Sequence, residues 1–143
     1  MTRRQRILYW AATVVLASGL IGSGVQQVLG VEGEGALAPP YAWGIEQLGY
    51  PRYVLPLLGT WKILGAVAIL VPRGALLKEW AYAGMFFLLT GAVFSHVASG
   101  HAAYELLPAL FLLAFTVVSW SFRPDDRRLP TRSEPSRTAS EVA

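Results

Sequence analysis

Four long apolar segments constrain this chain more than any other feature of its sequence. They lie at about residues 7–29, 54–71, 80–97 and 106–122. Each approaches the ~20 apolar residues with which an α-helix crosses a hydrocarbon core ~30 Å thick. A segment in lipid must bond its own backbone groups, and a helix does so. The sequence therefore predicts an all-α fold, a bundle of four transmembrane helices in the lipid bilayer.

The composition agrees with a membrane protein and excludes several other classes. Hydrophobic residues make up 54% of the 143 residues and charged residues 15%, against roughly 25% charged in a soluble domain. The chain has no cysteine, which excludes disulfides, thiolate-bound zinc and iron–sulfur clusters held by this chain alone. Its basic residues bracket the apolar segments and do not lie among aromatics on a folded face, so we expect no nucleic-acid partner.

The distribution of basic residues predicts the orientation. Lys and Arg are enriched on the cytoplasmic side of membrane proteins. If both termini lie in the cytoplasm, the outside holds one basic residue between helices, Arg52. The inside then holds ten: Arg3, Arg4, Arg6, Arg73, Lys78, Arg123, Arg127, Arg128, Arg132 and Arg137. We therefore expect a multi-pass protein of the cell inner (plasma) membrane with both termini cytoplasmic.

Three regions follow from this arrangement. Residues 1–6 are a cytoplasmic N-terminus, and residues 7–122 are the transmembrane domain. Residues 123–143 are polar and rich in Pro and Ser, which predicts a disordered cytoplasmic tail. The first outer loop contains the stretch YAWGIEQLGYPRY, whose aromatic residues suit a short interfacial helix.

A cleavable signal peptide is the alternative interpretation of the first segment. Arg3 and Arg4 precede its apolar run, as basic residues do in such signals. The run is longer than the 7–15 residues of a signal core, and three more apolar segments follow it. An uncleaved helix is the favoured interpretation.

A lysine inside the second segment, Lys62, is the main candidate for a functional residue. It shares a helix face with Gly59, Gly65 and Ala66 by the i, i+3, i+4, i+7 rule. Small residues favour close packing of helices in lipid, so Lys62 is expected on the packing face. An ionisable residue within a membrane segment is a functional candidate by default.

Helix direction places other polar side chains near Lys62. Side chains lean toward the N-terminus of their own helix, so Lys62 leans outward, whereas Gln26 and His96 lean inward from the outer ends of their helices. Glu46 and Glu105 lie in the loops above them. We therefore predict a ligand-binding pocket in the outer half of the bundle, formed by Lys62, His96, Gln26 and Glu46. The alternative is that Lys62 reaches the outer headgroups, or pairs with Glu46 for structural reasons.

The chain carries no linear motif for other chemistry. His96 and His101 are its two histidines and flank one helix end, so they do not suit haem ligation from facing helices. Metal-ligand motifs, phosphate loops and nucleophile elbows are absent from the sequence. We expect no metal and no cofactor held by the chain itself, and catalytic residues are unknown.

Four motifs resemble those of a known family. They are LGYP at residues 48–51, GTWKILGAVAILVP at 59–72, LKEWAYAG at 77–84 and SHVASG at 95–100. In order and spacing they are similar to the DoxX-like family of small bacterial membrane proteins, over about residues 10–121. The resemblance implies a four-helix membrane bundle. It also suggests a link to quinones and to membrane redox complexes, because DoxX is a small subunit of a quinone-linked oxidase system. DoxX itself tends to carry a glutamate in its second helix where this chain has Lys62, which argues against a direct transfer of the redox role.

The sequence thus favours a non-catalytic bundle that binds a quinone- or lipid-like molecule, or an accessory subunit of a membrane redox complex. Its partners would be the lipid bilayer and other subunits of such a complex, or further copies of the chain. Two alternatives stay open: a membrane-embedded enzyme with Lys62 and His96 as an acid–base pair, and a small transporter. The inner halves of the helices offer Thr13, Thr116 and Ser119 without an intramembrane charge, which counts against a transporter.

Overall fold

The computed structural model describes residues 2–30 and 45–129, apart from the side chains of residues 46 and 47. These residues form four α-helices and three 3₁₀ turns, with no β-strand in the described ranges. The helices are α1 (Arg3–Val28), α2 (Val54–Leu70), α3 (Ala75–Ala98) and α4 (Leu107–Ser121), and the 3₁₀ turns are Ile45–Leu48, Ala103–Leu106 and Asp125–Arg127. The all-α prediction is confirmed for the part of the chain that the structure describes.

The four helices run up and down. Gly24 near the end of α1 meets Gly59 near the start of α2, so these two helices are antiparallel. Tyr82 near the start of α3 lies beside Ser119 near the end of α4, so that pair is antiparallel as well. We call the end of the bundle where α1 begins and α4 ends the Arg127 end. The opposite end is called the Glu105 end.

The core is a small apolar cluster to which every helix contributes. Its buried members are Leu16, Ala17, Leu20, Ala66, Ile69, Tyr82 and Met85, with Leu112 and Phe115 of α4 packed against them. Many large apolar side chains point outward instead, and Phe87 and Phe94 are 71% and 73% exposed. Surfaces of this kind are unfavourable in water and are expected where lipid is the solvent.

Three helices are long and apolar enough to cross a membrane, namely α1, α3 and the helical stretch Ala103–Ser121 that includes α4. The remaining helix, α2, is apolar but has 17 residues. The prediction of a membrane protein is therefore supported, and a fourth span is considered below.

Two boundaries differ from the sequence prediction. Helix α3 begins at Ala75, five residues before the predicted start, so Lys78 lies within the helix and not in a loop. Residues 123–129, assigned to the tail from the sequence, continue the folded bundle, with Arg123 and Arg127 buried. The rest of the predicted tail, residues 130–143, lies outside the described residues.

Candidate functional site

Lys62 lines a groove of about 320 Å³ between α2 and α3. Buried Leu20 and Met85 lie on its inner side, and exposed Trp61 and Trp80 lie on its outer side. Among the described residues that line the groove, Lys62 alone carries a charge. The arrangement is an apolar surface with a single cationic hydrogen-bond donor.

The base of the Lys62 side chain lies on the packing face of α2, as predicted. A Cβ atom added to Gly24 of α1 would come within 3.3 Å of the Lys62 Cβ. The residue is half-buried, and it forms no hydrogen bond or ion pair with the residues that the structure describes. The ammonium group is therefore available to a ligand as far as these residues are concerned.

The other three predicted pocket residues are not joined to Lys62 by a described hydrogen bond. Gln26 is exposed on α1. The next residue, Gln27, turns toward α2 instead, because a Cβ added to Gly59 would lie 3.0 Å from the Gln27 Cβ. Glu46 belongs to the 3₁₀ turn Ile45–Leu48, and its side chain lies outside the described part. Their roles as ligand-binding residues stay predictions.

His96 belongs to a separate cluster at the Glu105 end. Its Nδ1 atom lies 2.8 Å from Nδ1 of His101. The same His101 atom lies 3.1 Å from Oε2 of Glu105. The expectation of no metal site came from the lack of a linear motif, and these three side chains are brought together by the fold without one.

A third polar region, at the Arg127 end, was missed from the sequence. Lys78 is fully buried, and its ammonium donates to the backbone carbonyls of Ala68 (3.0 Å), Val71 and Arg73 (3.3 Å). In a continuing helix the Ala68 carbonyl would accept from residue 72, but Pro72 has no N–H. Lys78 supplies the missing donor.

Arg127 closes the same end of α2. It donates through one nitrogen to the Tyr9 hydroxyl (3.1 Å) and to the Ile69 carbonyl (3.2 Å). Its guanidinium also lies 4.8 Å from the centre of the Trp10 ring, within the range of a cation–π contact. Two cations thus lie at the negative C-terminal end of α2, where the helix dipole favours them.

Polar contacts also connect the other helices there. Arg123 pairs with Glu79 at 2.7 Å, and Glu79 accepts a hydrogen bond from the Trp120 ring nitrogen. The Ser119 hydroxyl lies 2.7 Å from both the Thr13 and the Tyr82 hydroxyls. The Arg127 end of the bundle therefore holds buried charge, which was not predicted from the sequence.

A sequence signal for Lys78 existed. The buried residues of α3 include Lys78, Tyr82, Met85 and Leu89, which follow one another at spacings of four, three and four. Extending this apolar stripe toward the N-terminus would have placed Lys78 on the buried face.

Comparison with known proteins gives one match. The model of the DoxX-like family matches residues 10–119. No curated protein and no solved structure matches the chain.

Proposed function

The chain belongs to the DoxX-like family, and from this premise we propose that it is a membrane protein that binds a quinone-like molecule in the Lys62 groove. The observation that carries the proposal is a lysine without a described polar partner in an otherwise apolar groove. Small-molecule sites are typically apolar and have few polar groups, with volumes of ~300–1,000 Å³. The groove falls within that range.

The depth of Lys62 favours a quinone head over a lipid headgroup. Lys62 lies eight residues after the start of α2 at Val54, which is roughly 12 Å along the helix. A phosphate headgroup stays near the membrane surface, whereas an uncharged ring with carbonyl oxygens enters the hydrocarbon region. Those oxygens accept hydrogen bonds from an ammonium, and Trp61 and Trp80 offer flat apolar surfaces to a ring and its tail.

This function is non-catalytic. As a quinone-binding bundle, the protein would act as an accessory subunit of a membrane redox complex, or as a homo-oligomer within one. An acid–base enzyme finds less support, because His96 lies against His101 and no described hydrogen bond joins it to Lys62.

Tryptophan fluorescence tests the proposal directly. Quinones quench nearby indole emission, so a short-tailed ubiquinone analogue titrated into the detergent-solubilised protein should give saturable quenching. The double variant Trp61→Phe/Trp80→Phe should lose most of that signal, because both rings line the groove. Lys62→Met should weaken binding about tenfold or more, since a hydrogen bond to a charged group contributes ~1.5–3 kcal/mol.

Two glycines of α3 provide a matched pair of variants. Gly84 lines the groove, Gly91 does not, and a Cβ added at either meets nothing within 4 Å. Gly84→Leu should block binding by filling the groove, whereas Gly91→Leu should leave it unchanged. Quenching that is linear and equal in all variants would contradict the proposal. Acidic phospholipid that copurifies with the wild type but not with Lys62→Met would assign the groove to a lipid instead.

A further inference from the structure

We propose that His96, His101 and Glu105 form a binding site for a divalent transition-metal ion, with Zn²⁺ as the favoured ion. One ligand atom from each of the three lies within 4.8 Å of those from the others. The site shares no residue with the Lys62 groove, so it is independent of the function proposed above.

Local backbone structure brings the two histidines together. Helix α3 ends with Ser99 as its C-cap, and the following Gly100 has a φ of +70°. The His101 N–H donates to the His96 carbonyl, and the Gly100 N–H donates to the Val97 carbonyl. These bonds define a Schellman motif. In this motif the residue two positions after the cap packs over the helical residue three positions before the cap. Here those two positions are His101 and His96.

A short helical turn then adds the carboxylate. Glu105 lies four residues after His101, in the 3₁₀ turn Ala103–Leu106. Its Oε1 atom accepts a hydrogen bond from the backbone N–H of Ala102 at 3.3 Å. That bond holds the carboxylate with Oε2 toward the histidines. Outer hydrogen bonds of this kind orient ligands in protein metal sites.

The spacing of the three atoms suits one small cation. Zinc bonds to imidazole nitrogen and carboxylate oxygen are ~2.0–2.2 Å long. In a tetrahedral site, ligand atoms on such bonds are roughly 3.3 Å apart. The observed separations of 2.8 Å between the His96 and His101 nitrogens and 3.1 Å from His101 to Glu105 are close to that value, and all three ligand atoms lie within 4.8 Å of one another.

Hydrogen bonding alone leaves the cluster incomplete. A ring nitrogen holds one hydrogen or one lone pair, so Nδ1 of His101 cannot serve His96 and Glu105 equally well. Glu105 is 7% exposed, and its Oε2 atom has the His101 nitrogen 3.1 Å away but makes no hydrogen bond of good geometry. A buried carboxylate oxygen without a well-formed hydrogen bond is costly. A cation among the three atoms would remove that cost and bind all three lone pairs.

The ligand chemistry indicates the class of ion. Two imidazoles and one carboxylate favour Zn²⁺ and its neighbours over Ca²⁺ or Mg²⁺, which prefer oxygen ligands. Three protein ligands leave the fourth tetrahedral position of zinc to water or another small ligand.

Calorimetry with zinc chloride tests the site. The protein should be purified without a histidine tag and treated with a chelator first. We expect saturable binding of one Zn²⁺ per chain. The variants His101→Ala and Glu105→Gln each remove a direct ligand. They should therefore weaken binding by more than the roughly 10–100-fold that follows the loss of an outer-shell partner. The control is Asp125→Asn/Asp126→Asn, which removes two exposed carboxylates at the Arg127 end and should leave affinity unchanged.

X-ray absorption on the zinc-loaded wild type provides a readout that needs no variant. It should show two imidazoles in the first coordination shell. Absence of saturable binding, a shell without imidazole, or equal affinity in wild type and both ligand variants would overturn the proposal. Quinone quenching that persists in Glu105→Gln would leave the groove assignment intact whatever the outcome for zinc.

Discussion

The two lysines of the membrane domain have opposite surroundings. Lys78 is fully buried and donates to three backbone carbonyls, one of them deprived of its usual donor by Pro72. Lys62 is half-buried and lacks a described polar partner. The Lys78 charge therefore stabilises the fold, whereas the Lys62 charge has no polar partner among the described residues.

The same substitution at both positions should separate these roles. Lys78→Met should lower the free energy of unfolding by about 1.5–3 kcal/mol, because it leaves buried carbonyls without a charged donor. Lys62→Met should leave it unchanged or raise it, since it replaces an ion by an apolar group of similar length. Unfolding of both variants in mixed micelles with increasing denaturing detergent measures the difference. Equal losses at both positions would mean that Lys62 also has a structural partner.

The feature hardest to predict from sequence was which side chains of a helix face the neighbouring helix. Gln26 was expected to face Lys62, but Gln27 turns toward α2 and Gln26 is exposed. A rotation of one residue, about 100° on a helix, decides which side chain reaches a neighbour. The small residues of α1 do not fix that rotation, because Gly19 lies against α4 and Gly24 lies against α2.

Among the elements, the pair α1 and α2 depends on two glycines. A Cβ added to Gly59 would lie 2.5 Å from the Gly24 carbonyl oxygen, and one added to Gly24 would lie 2.8 Å from the Gly59 oxygen. Both obstacles are backbone atoms, so a side chain there cannot be accommodated by a rotamer change. Small residues at this crossing let the two backbones approach, as in many membrane helix pairs.

This close approach gives a second stability prediction. Gly59→Ala should destabilise the bundle by about 1–3 kcal/mol, the usual range for added methyl groups in a packed site. Gly22→Ala on α1 is the control, since its Cβ would meet nothing within 4 Å. It should be neutral or stabilising by up to ~1 kcal/mol, because alanine is the better helix former. Thermal unfolding in detergent compares the two. A stable Gly59→Ala variant would show that the helices separate at little cost.

At the scale of the whole molecule, the sequence predicted the order and approximate bounds of the four α-helices that the described residues form. Hydropathy is summed over a whole segment, so single residues do not disturb it. The start of α3 was placed too late because Lys78 and Glu79 lowered the local hydropathy, although tertiary partners satisfy both charges. The cluster at the Glu105 end was missed for another reason: its three residues meet only through a helix cap and the turn that follows it.

Connectivity bears on whether α2 crosses the membrane. Helices α1 and α3 both run from the Arg127 end to the Glu105 end, so α2 must return the chain between them. Its 17 residues span about 25 Å, short of a ~30 Å core. A thinner bilayer around the helix accommodates such a mismatch at modest cost. We therefore expect four spans, with the Arg127 end in the cytoplasm because the basic residues concentrate there.

The chain has no cysteine, so a thiol introduced at one position is the only site at which a maleimide can label this protein. Labelling can therefore test the topology. Single variants Tyr53→Cys, Arg73→Cys and Ser99→Cys place one thiol at an exposed position before α2, after α2 and after α3. A membrane-impermeant maleimide applied to intact cells should label Tyr53→Cys and Ser99→Cys. It should label Arg73→Cys only after the cells are permeabilised. Labelling of Arg73→Cys alone in intact cells would reverse the orientation. Equal access at positions 53 and 73 would mean that α2 does not cross the bilayer, and the groove that Lys62 lines would then lie at the membrane surface and not within it.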